Sequence, residues 1–384
     1  MFNVETLGQV FTPQGIVAQM LTLRQNEGRC LEPSCGNGAF FNEIVDCVGI
    51  EIDPTHCPEG AMNMDFFDYP LDEKFDTIIG NPPYVRYQDI SPDTKKKLSS
   101  ALFDERSNLY LFFIEKCIQH LNEHGELIFI TPRDFLKATS STRLNQFIYQ
   151  QGTITDMIDL GDRHIFKGFS PNCIIFRFEK NNFSRSTNIT KRFTYCNGQL
   201  LFTNNQYPLH FGDIFFVKVG AVSGADKLFE SEEYGNTDFV CSYTAHTGKT
   251  RRMIYNEKSD YLLSFKEQLI KRKIKRFDET NWWMWGRNHY VSVEKRIYVN
   301  CKTRHPNPFF LHPSNDYDGS VLAIFPRNQQ INLQVVCAAL NRVNWYELGF
   351  VCDGRYLFSQ KSLEMAPLPI GFKQFMPTDW LFST

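Results

Sequence analysis

Short apolar runs alternate with amphipathic stretches through the first half of the chain. Five runs have the length and the β-branched or aromatic content of a buried strand, namely residues 29–32, 48–52, 75–80, 126–131 and 172–178. Before the fourth run, apolar residues recur at steps of three and four, which predicts a helix through Leu109, Phe112, Phe113, Cys117 and Leu121. Because strands that alternate with helices form parallel sheets, we predict an α/β domain of Rossmann type with a mixed, mainly parallel sheet.

The pattern is weaker in the second half. The polar stretch 181–188 indicates a linker, so we predict an N-terminal domain of residues 1–188 and a C-terminal domain of residues 189–384. The second domain has short strands, such as residues 295–300, and a basic helix over residues 265–277, which together predict an α+β fold. A length of 384 residues is ample for two such domains.

Composition excludes several classes of protein. Hydrophobic residues make up 42% of the chain and charged residues 22%, which excludes disordered, fibrous and membrane proteins. The start of the chain has neither the basic head nor the apolar core of a secretion signal, and no apolar run is long enough to span a bilayer. Eleven cysteines without a Cys-x-x-Cys pair argue against a zinc site or a disulfide framework. We expect a cytoplasmic protein with reduced thiols and no bound metal.

The net charge of −2 is the sum of two halves of opposite charge. Residues 1–190 sum to −8 and residues 191–384 to +6, while the segment 246–304 carries +9 and includes three tryptophans. Because phosphates attract cations and bases stack on flat rings, this segment predicts contact with DNA. The candidate DNA-binding residues are Arg251, Arg252, Lys271, Arg272, Lys273, Trp283 and Arg287. The alternative, a solvated basic helix followed by core tryptophans, stays open.

A glycine-bearing turn, Gly36-Asn37-Gly38, follows the first predicted strand and precedes a predicted helix. Glycine lets a ligand approach the main chain closely, although tight strand–helix turns use it as well. The second predicted strand contains Glu51, at the place where doubly wound sheets present a carboxylate to ribose hydroxyls. Since no third glycine follows, a mononucleoside pocket is favoured over the pyrophosphate site of NAD or FAD.

Asp65 and Phe66 place an acid beside an aromatic ring near a strand end. We predict that Asp65 accepts a hydrogen bond from an adenine amine and that Phe66 covers the ring face. The alternative is a capping aspartate beside a core phenylalanine.

The sequence Asn81-Pro82-Pro83-Tyr84 stands at the carboxyl end of the third predicted strand, where open α/β sheets bind ligands. Two successive prolines stiffen the backbone and remove two N–H donors, which leaves the Asn81 amide oxygen and the Pro82 carbonyl as acceptors. Converging acceptors suit an –NH2 group, and Tyr84 can stack on the ring that bears it. This segment therefore predicts a site for an aromatic amine.

Taken in order, these motifs resemble those of S-adenosylmethionine-dependent N6-adenine DNA methyltransferases of the γ order. The matching segments, within about residues 8–180, are GQVFTP, LEPSCGNGAF, GIEID, NMDFFD, IIGNPPY and ELIFITP. The chain is similar to the Taq-type enzymes and to the modification half of restriction–modification systems, in which a target-recognition domain follows the catalytic domain. The resemblance is weaker after residue 190.

The resemblance implies a role for each matching residue. Its cofactor-binding residues are Thr12, Pro13, Glu32, Pro33, Cys35, Gly36, Glu51, Ile52, Asp65, Phe66, Asn81 and Pro83. Among them, Thr12 and Pro13 help to close the pocket, and Glu32, Cys35 and Gly36 line its methionine side. The implied catalytic residues are Asn81, Pro82, Pro83, Tyr84 and Phe166. Phe166 is expected to pack on a flipped-out adenine opposite Tyr84, with Phe169 as a second candidate.

The resemblance implies a site-specific DNA adenine N6-methyltransferase that uses S-adenosylmethionine, binds duplex DNA and serves a type II restriction–modification system. We expect a monomer with a companion endonuclease encoded separately. Two alternatives stay open. One is a methyltransferase for another amine, such as an RNA adenine, a release-factor glutamine or cytosine N4. The other is a non-catalytic DNA-binding subunit, against which the intact Asn81–Tyr84 segment and Glu51 argue.

Overall fold

The computed structural model describes residues 10–98, 101–103, 107–161, 166 and 172–377. Two compact units divide the chain, the first ending at Asn205 and the second beginning at Gln206. Within the described ranges, no helix has the length and apolar character needed to cross a bilayer.

The first unit is built on a mixed sheet. Its strands are β1 (Cys30–Glu32), β2 (Cys47–Glu51), β3 (Met62–Asn63), β4 (Phe75–Gly80), β5 (Leu121–Pro132), β6 (Gly152–Asp159) and β7 (Cys173–Lys180). They lie in the order β3-β2-β1-β4-β5-β7-β6. The strands β1 to β5 are parallel, whereas β7 pairs antiparallel with both β5 and β6. The predicted mixed, mainly parallel sheet is confirmed.

Helices pack on both faces of this sheet. They are α1 (Gln14–Leu21), α2 (Pro92–Lys97), α3 (Leu109–His120) and α4 (Thr142–Gln151). Successive residues of a strand point to opposite faces, so Ile78 enters the core formed with α3 and α4, and Ile79 enters the core formed with α1. The helix predicted from the spacing of Phe112 and Phe113 is confirmed as α3.

The helix predicted after β1 does not form. Residues 35–46 are a series of turns, in which Gly36 and Gly38 have φ values of 52° and 80°. Carboxylates capture backbone N–H groups of this segment, because Glu51 accepts from Gly36 and Glu32 accepts from Phe41. The carboxylates at the ends of β1 and β2 thus hold this series of turns.

The first unit continues past the predicted boundary at Asn188. The polar stretch 181–188 lies along the edge strand β6, where the Thr153 hydroxyl donates to the Asn182 carbonyl and the Asn188 N–H donates to the Thr155 carbonyl. The hairpin of β8 (Phe193–Cys196) and β9 (Gln199–Phe202) then buries apolar side chains in the core beneath α3 and α4. A polar segment that is hydrogen-bonded to an edge strand therefore belongs to the unit and does not link two units.

The second unit combines short strands with short helices. Its strands are β10 (Leu209–His210), β11 (Phe215–Val219), β12 (Thr237–Phe239), β13 (Arg251–Met253), β14 (Ile297–Asn300), β15 (Lys302–Thr303), β16 (Phe309–Phe310), β17 (Val321–Pro326), β18 (Val351–Cys352), β19 (Arg355–Leu357) and β20 (Pro367–Leu368). Its helices are α5 (Phe211–Ile214), α6 (Asp226–Phe229), α7 (Thr244–Thr247), α8 (Asp260–Leu263), α9 (Lys266–Ile270), α10 (Leu333–Arg342) and α11 (Gln360–Glu364). An antiparallel sheet, β11-β17-β14-β16, forms its centre, so the predicted α+β class is confirmed.

Candidate active site

Three loops of the first unit meet at one edge of its sheet. Because β2, β1 and β4 are adjacent and parallel, the segments that follow Glu51, Glu32 and Gly80 all leave the sheet at its carboxyl edge. This edge is where open α/β sheets bind their ligands. The glycine turn and the Asn81–Tyr84 segment, far apart in sequence, become neighbours for this reason.

Asn81 presents an acceptor at this edge. Its Nδ2 donates to the Val10 carbonyl at 3.0 Å and to Thr12 Oγ1 at 3.3 Å, and since a carbonyl can only accept, these bonds orient the amide. The Asn81 Oδ1 atom is buried and has no hydrogen-bond partner among the described residues. Leaving a buried acceptor unsatisfied costs about 1–3 kcal/mol. Such an atom is therefore suited to an N–H group of a ligand.

Aromatic rings pack around Tyr84, three residues after Asn81. The Tyr84 ring meets Phe166 at a centroid separation of 6.3 Å and Tyr110 at 5.9 Å, in both cases edge to face. The Tyr84 hydroxyl donates to the Ile130 carbonyl at 2.8 Å, and burial raises its pKa well above the ordinary value. Tyr84 is therefore a neutral phenol, and it is suited to packing on a ring and not to acting as a base. Phe166 is buried beside it, whereas Phe169 lies outside the described residues.

A cavity opens at the same edge. It is lined by Val10, Phe11, Pro33, Ser34, Gly36, Glu51, Ile52, Met64, Phe66, Asn81, Pro83 and Phe113. The predicted cofactor residues in this lining are Pro33, Gly36, Glu51, Ile52, Phe66, Asn81 and Pro83. The sequence analysis did not predict the other lining residues, which are Val10, Phe11, Ser34, Met64 and Phe113. Val10 and Phe11 stand within the GQVFTP motif, and Phe113 stands in the periodic pattern of α3. A periodic pattern marks a buried helix face, but it does not separate core positions from cavity positions.

Glu51 organises the floor of the cavity. Its Oε2 accepts from the Gly36 N–H at 2.7 Å and its Oε1 accepts from the Asp53 N–H at 2.9 Å, and the side chain is buried. Each carboxylate oxygen can accept more than one hydrogen bond, and Glu51 is among the residues that line the cavity. Glu51 thus both holds the glycine turn and offers acceptors at the cavity wall.

Besides Asp65, four predicted cofactor residues do not line the cavity. Thr12 accepts from Asn81, and the exposed Pro13 supplies the carbonyl that receives the first N–H groups of α1. Glu32 is buried and accepts from the Phe41 N–H at 2.6 Å, and burial raises the pKa of its carboxyl well above the usual value. Burial also raises the pKa of the Cys35 thiol. These residues support the turn and the α1 entry and do not form the cavity wall.

For Asp65 the structure favours the alternative interpretation. Its Oδ1 accepts from the Phe67 N–H at 3.0 Å and caps the 3₁₀ turn Phe66–Asp68. Its Oδ2 accepts from Thr94 Oγ1 at 3.0 Å and from Lys97 Nζ at 3.2 Å. Asp65 is a capping residue that is not among the residues lining the cavity, and its contact with an adenine amine stays a prediction. Phe66, by contrast, does line the cavity.

Lys116 supports the aromatic wall of the cavity. The rings of Phe66 and Phe113 stack at a centroid distance of 5.0 Å. Lys116 Nζ donates to the carbonyls of Phe66 and Tyr69 at 2.7 and 2.8 Å and lies 4.9 Å from the centre of the Phe66 ring. Burial lowers the pKa of Lys116. This cation, which the sequence did not reveal, ties the turn that carries Phe66 to helix α3.

The sequence that carries this site is similar to known proteins. Residues 40–166 match the family model of the Eco57I restriction-modification methylase. Within this range the chain is similar to restriction-modification methylases. The chain is 32% identical over 197 residues to the type II methyltransferase M.HincII of Haemophilus influenzae, covering 48% of this chain and 39% of that protein. It is 33% identical over 199 residues to M.TthHB8I of Thermus thermophilus, covering 46% of this chain and 45% of that protein.

The chain spans less than half the length of these relatives in the matched regions. Among solved structures, the type IIL restriction-modification enzyme MmeI in complex with DNA has a TM-score of 0.61 at 11% identity, covering 92% of this chain and 64% of that one. At this identity the likeness concerns the fold. The resemblance predicted from the sequence is confirmed at the level of restriction–modification methyltransferases. In the described part of this methylase-like chain, no group of three metal-ligating side chains occurs.

The basic segment of the second unit requires a correction. Arg272 is buried, and its guanidinium donates to the carbonyls of Leu269, Ser223, Trp282 and Met284. Burial lowers its pKa to about 10, so it stays charged at neutral pH. Arg272 therefore holds loops together and has no free N–H fork for a phosphate. Burial of Arg272 also draws the chain inward after α9. This helix ends at Ile270, whereas the sequence predicts a helix that continues to residue 277.

The other predicted DNA-binding residues have different environments. Arg252 pairs with Asp238 at 2.7 Å, Arg251 lies 3.5 Å from Asp318, and Arg287 donates to the Gly220 carbonyl. Lys271 and Lys273 are exposed. Trp282 and Trp285 are core residues, as the alternative interpretation held, whereas Trp283 is half-buried with Lys258 Nζ at 5.5 Å from its ring.

Proposed function

We propose that this protein is a site-specific DNA adenine N6-methyltransferase that uses S-adenosylmethionine and serves as the modification enzyme of a restriction–modification system. The observation that carries the proposal is the buried Asn81 Oδ1 atom, which has no hydrogen-bond partner among the described residues. Asn81 lines the cavity, and Tyr84, three residues later in the same segment, packs against Phe166. The similarity to type II methyltransferases supports it.

The cavity residues fit the proposed cofactor. Glu51 would accept from the ribose hydroxyls, and the Gly36 turn would let the ligand approach the main chain. Ile52 and the stacked rings of Phe66 and Phe113 would hold the adenine by apolar contact, since Asp65 is already hydrogen-bonded to other groups. When bound, S-adenosylmethionine supplies an activated methyl group.

The residues of the Asn81–Tyr84 segment would orient the target. Asn81 Oδ1 would accept from the exocyclic amine of a flipped-out adenine, which favours a pyramidal nitrogen whose lone pair is available. Tyr84 and Phe166 would pack on the purine and offset the few kcal/mol that extrusion from the stack costs. Holding two reactants in line supplies much of the rate of such a transfer.

The observations favour this proposal over its alternatives. A non-catalytic DNA-binding subunit has no use for a buried acceptor without a partner, which would destabilise it by about 1–3 kcal/mol. The similarity to a restriction-modification methylase family and to the fold of MmeI, which was solved in complex with DNA, favours DNA over RNA or protein. The basic balance of residues 191–384 suits a polyanion. We further infer a cytoplasmic monomer whose companion endonuclease is a separate chain.

The test is to incubate the purified chain with methyl-labelled S-adenosylmethionine and, separately, with duplex DNA, RNA and a release-factor protein. We expect label in DNA alone, recovered as N6-methyladenine after digestion to nucleosides. Label in RNA or protein alone contradicts the DNA substrate. Recovery of N4-methylcytosine contradicts the adenine target.

Exposed lysines of the second unit are expected to contact phosphates. In the double variant Lys271→Ala/Lys273→Ala, affinity for every duplex should fall, and the slope of log affinity against log salt should decrease by about 2, because each phosphate contact contributes about one unit. Fluorescence anisotropy over a range of salt concentrations measures this slope. Lys361→Ala, at another exposed lysine of the same unit, is the control. If the double variant has the same slope as this control, Lys271 and Lys273 do not contact phosphates.

Lys116 is expected to act on cofactor binding and not on the chemical step. In Lys116→Met, the Phe66 and Tyr69 carbonyls lose their charged donor, so KM for S-adenosylmethionine should rise about tenfold or more with kcat largely kept. Lys116→Arg should restore part of the affinity. Lys180→Met is the matched control, because Lys180 also donates to a buried-strand carbonyl, that of Leu121, but lies outside the cavity lining. Equal effects of the two methionine variants would mean that Lys116 is merely structural.

A further inference from the structure

A loop of the second unit combines a rigid base with exposed apolar side chains. Residues 288–295, here called the 288–295 loop, have no helix or strand and lead into β14. Tyr290 packs edge-on against Phe216 at 6.2 Å and against Phe325 at 5.4 Å, and those two rings stack face to face at 4.9 Å. Phe216 and Phe325 are paired residues of β11 and β17, so the loop crosses one face of the central sheet.

The backbone of the loop is held from beneath. The buried Arg296 donates through Nη2 to the Ser292 carbonyl, through Nε to the Glu294 carbonyl at 3.2 Å and through Nη1 to the Asn315 carbonyl at 3.0 Å. The Lys295 N–H donates to Gln329 Oε1 at 3.0 Å. A loop without secondary structure that is fixed by a buried guanidinium presents its outer side chains in a defined arrangement, which lowers the cost of binding.

The outer side chains are apolar. Val291 is 78% exposed and Val293 is 94% exposed, at alternate positions of the loop. A single exposed valine needs no explanation, but two on one supported loop, beside the 40% exposed Tyr290, form a small apolar patch.

Cations lie near this patch. Lys218 Nζ lies 5.1 Å from the centre of the Tyr290 ring, and Lys295 and Arg287 flank the loop as exposed residues. The carboxylate within the loop, that of Glu294, accepts from the Ser292 hydroxyl at 2.9 Å. Apolar side chains bordered by cations match the major groove of a duplex, in which thymine methyl groups lie between two rows of phosphates.

We propose that the 288–295 loop reads DNA sequence in the major groove, with Val291 and Val293 in contact with thymine methyl groups and Lys218 and Lys295 on the flanking phosphates. The inference rests on the proposed function in that the partner is duplex DNA. It adds a segment that determines specificity within the basic stretch 246–304, through two valines that are not among the predicted DNA-binding residues.

The test has two stages. First, duplexes that bind the wild-type chain are enriched from a randomised pool and sequenced, which yields its preferred site. Second, affinity is compared between that site and the same site with uracil in place of thymine, which removes only the 5-methyl group. We expect the wild type to prefer thymine by roughly five- to tenfold at one or two positions, the lower part of the usual range for a changed base contact. The double variant Val291→Ser/Val293→Ser should lose this preference while its melting temperature is kept.

Val45→Ser is the matched control, because Val45 is 92% exposed but belongs to the first unit. If the double variant keeps the thymine preference of the wild type, the inference about the loop is overturned. If the enriched duplexes are methylated in that case, the proposed function still stands. A thymine preference that depends on the two valines, without any methyl transfer, would support the loop assignment and contradict the proposed activity. A wild-type chain that enriches no duplex, or that binds vesicles of anionic phospholipid instead, overturns the inference.

Discussion

Replacing Asn81 by alanine is expected to lower the rate of methyl transfer by about 10²–10³-fold, the usual effect of removing one preorganised hydrogen-bonding group from a reacting centre. The variant loses the Oδ1 acceptor, which has no other partner among the described residues, and it leaves the Glu51 carboxylate and the Phe66–Phe113 wall unchanged. Affinity for S-adenosylmethionine should therefore be largely kept. Single-turnover transfer to duplex DNA and calorimetric titration of the cofactor measure the two quantities.

Two further variants sharpen this prediction. Asn42→Ala, at an exposed amide of the same unit, should be active. Asn81→Asp keeps an acceptor but replaces the donor to the Val10 carbonyl, so we expect a rate between those of the wild type and the alanine variant. If Asn81→Ala instead lost cofactor affinity and kept its rate of transfer from saturating cofactor, Asn81 would be a cofactor ligand and the amine site would lie elsewhere.

Replacing Glu51 by alanine is expected to have the opposite signature. The Gly36 and Asp53 N–H groups lose their carboxylate acceptor, and the ribose loses its predicted partner. Since a hydrogen bond to a charged group contributes about 1.5–3 kcal/mol, the Kd for S-adenosylmethionine should rise by roughly 10- to 150-fold. At saturating cofactor, the rate of transfer should recover much of its wild-type value.

Glu51→Gln separates the two roles of this side chain. It keeps one acceptor oxygen and the volume of the residue, so the loss of affinity should be smaller than in the alanine variant. Glu59→Ala, at an exposed acid of the same unit, is the control. An unchanged Kd in Glu51→Ala together with a lost rate would reverse the roles assigned to Glu51 and Asn81.

Local patterns were sufficient where one face of an element had to be buried. The strands around residues 75–80 and 126–131 and helix α3 were predicted correctly because their apolar spacing matches a buried strand or a one-sided helix. Because parallel neighbouring strands end on the same side of a sheet, the predicted strands also placed Glu51 and Asn81 at one sheet edge.

Patterns were insufficient where a polar side chain had several possible partners. Lys271, Arg272 and Lys273 are indistinguishable as a basic run, but Arg272 alone is buried among four carbonyls. Asp65 and Glu51 are both acids near the end of a strand. Thr94 and Lys97, which lie on α2, donate to Asp65, whereas Glu51 lines the cavity. Hydrogen-bond partners distant in sequence decide such cases.

The order of motifs and the periodicity of apolar residues by themselves determined the α/β class, the family resemblance and the location of a site at the carboxyl edge of the sheet. Only the tertiary structure decided that Asn81 keeps a buried acceptor without a partner among the described residues, that Lys116 contacts the Phe66 ring of the cavity wall and that Arg272 is buried. The physical reason is that burial of apolar surface depends on local spacing, whereas the role of a charge or an amide depends on which groups the fold places within about 3 Å of it.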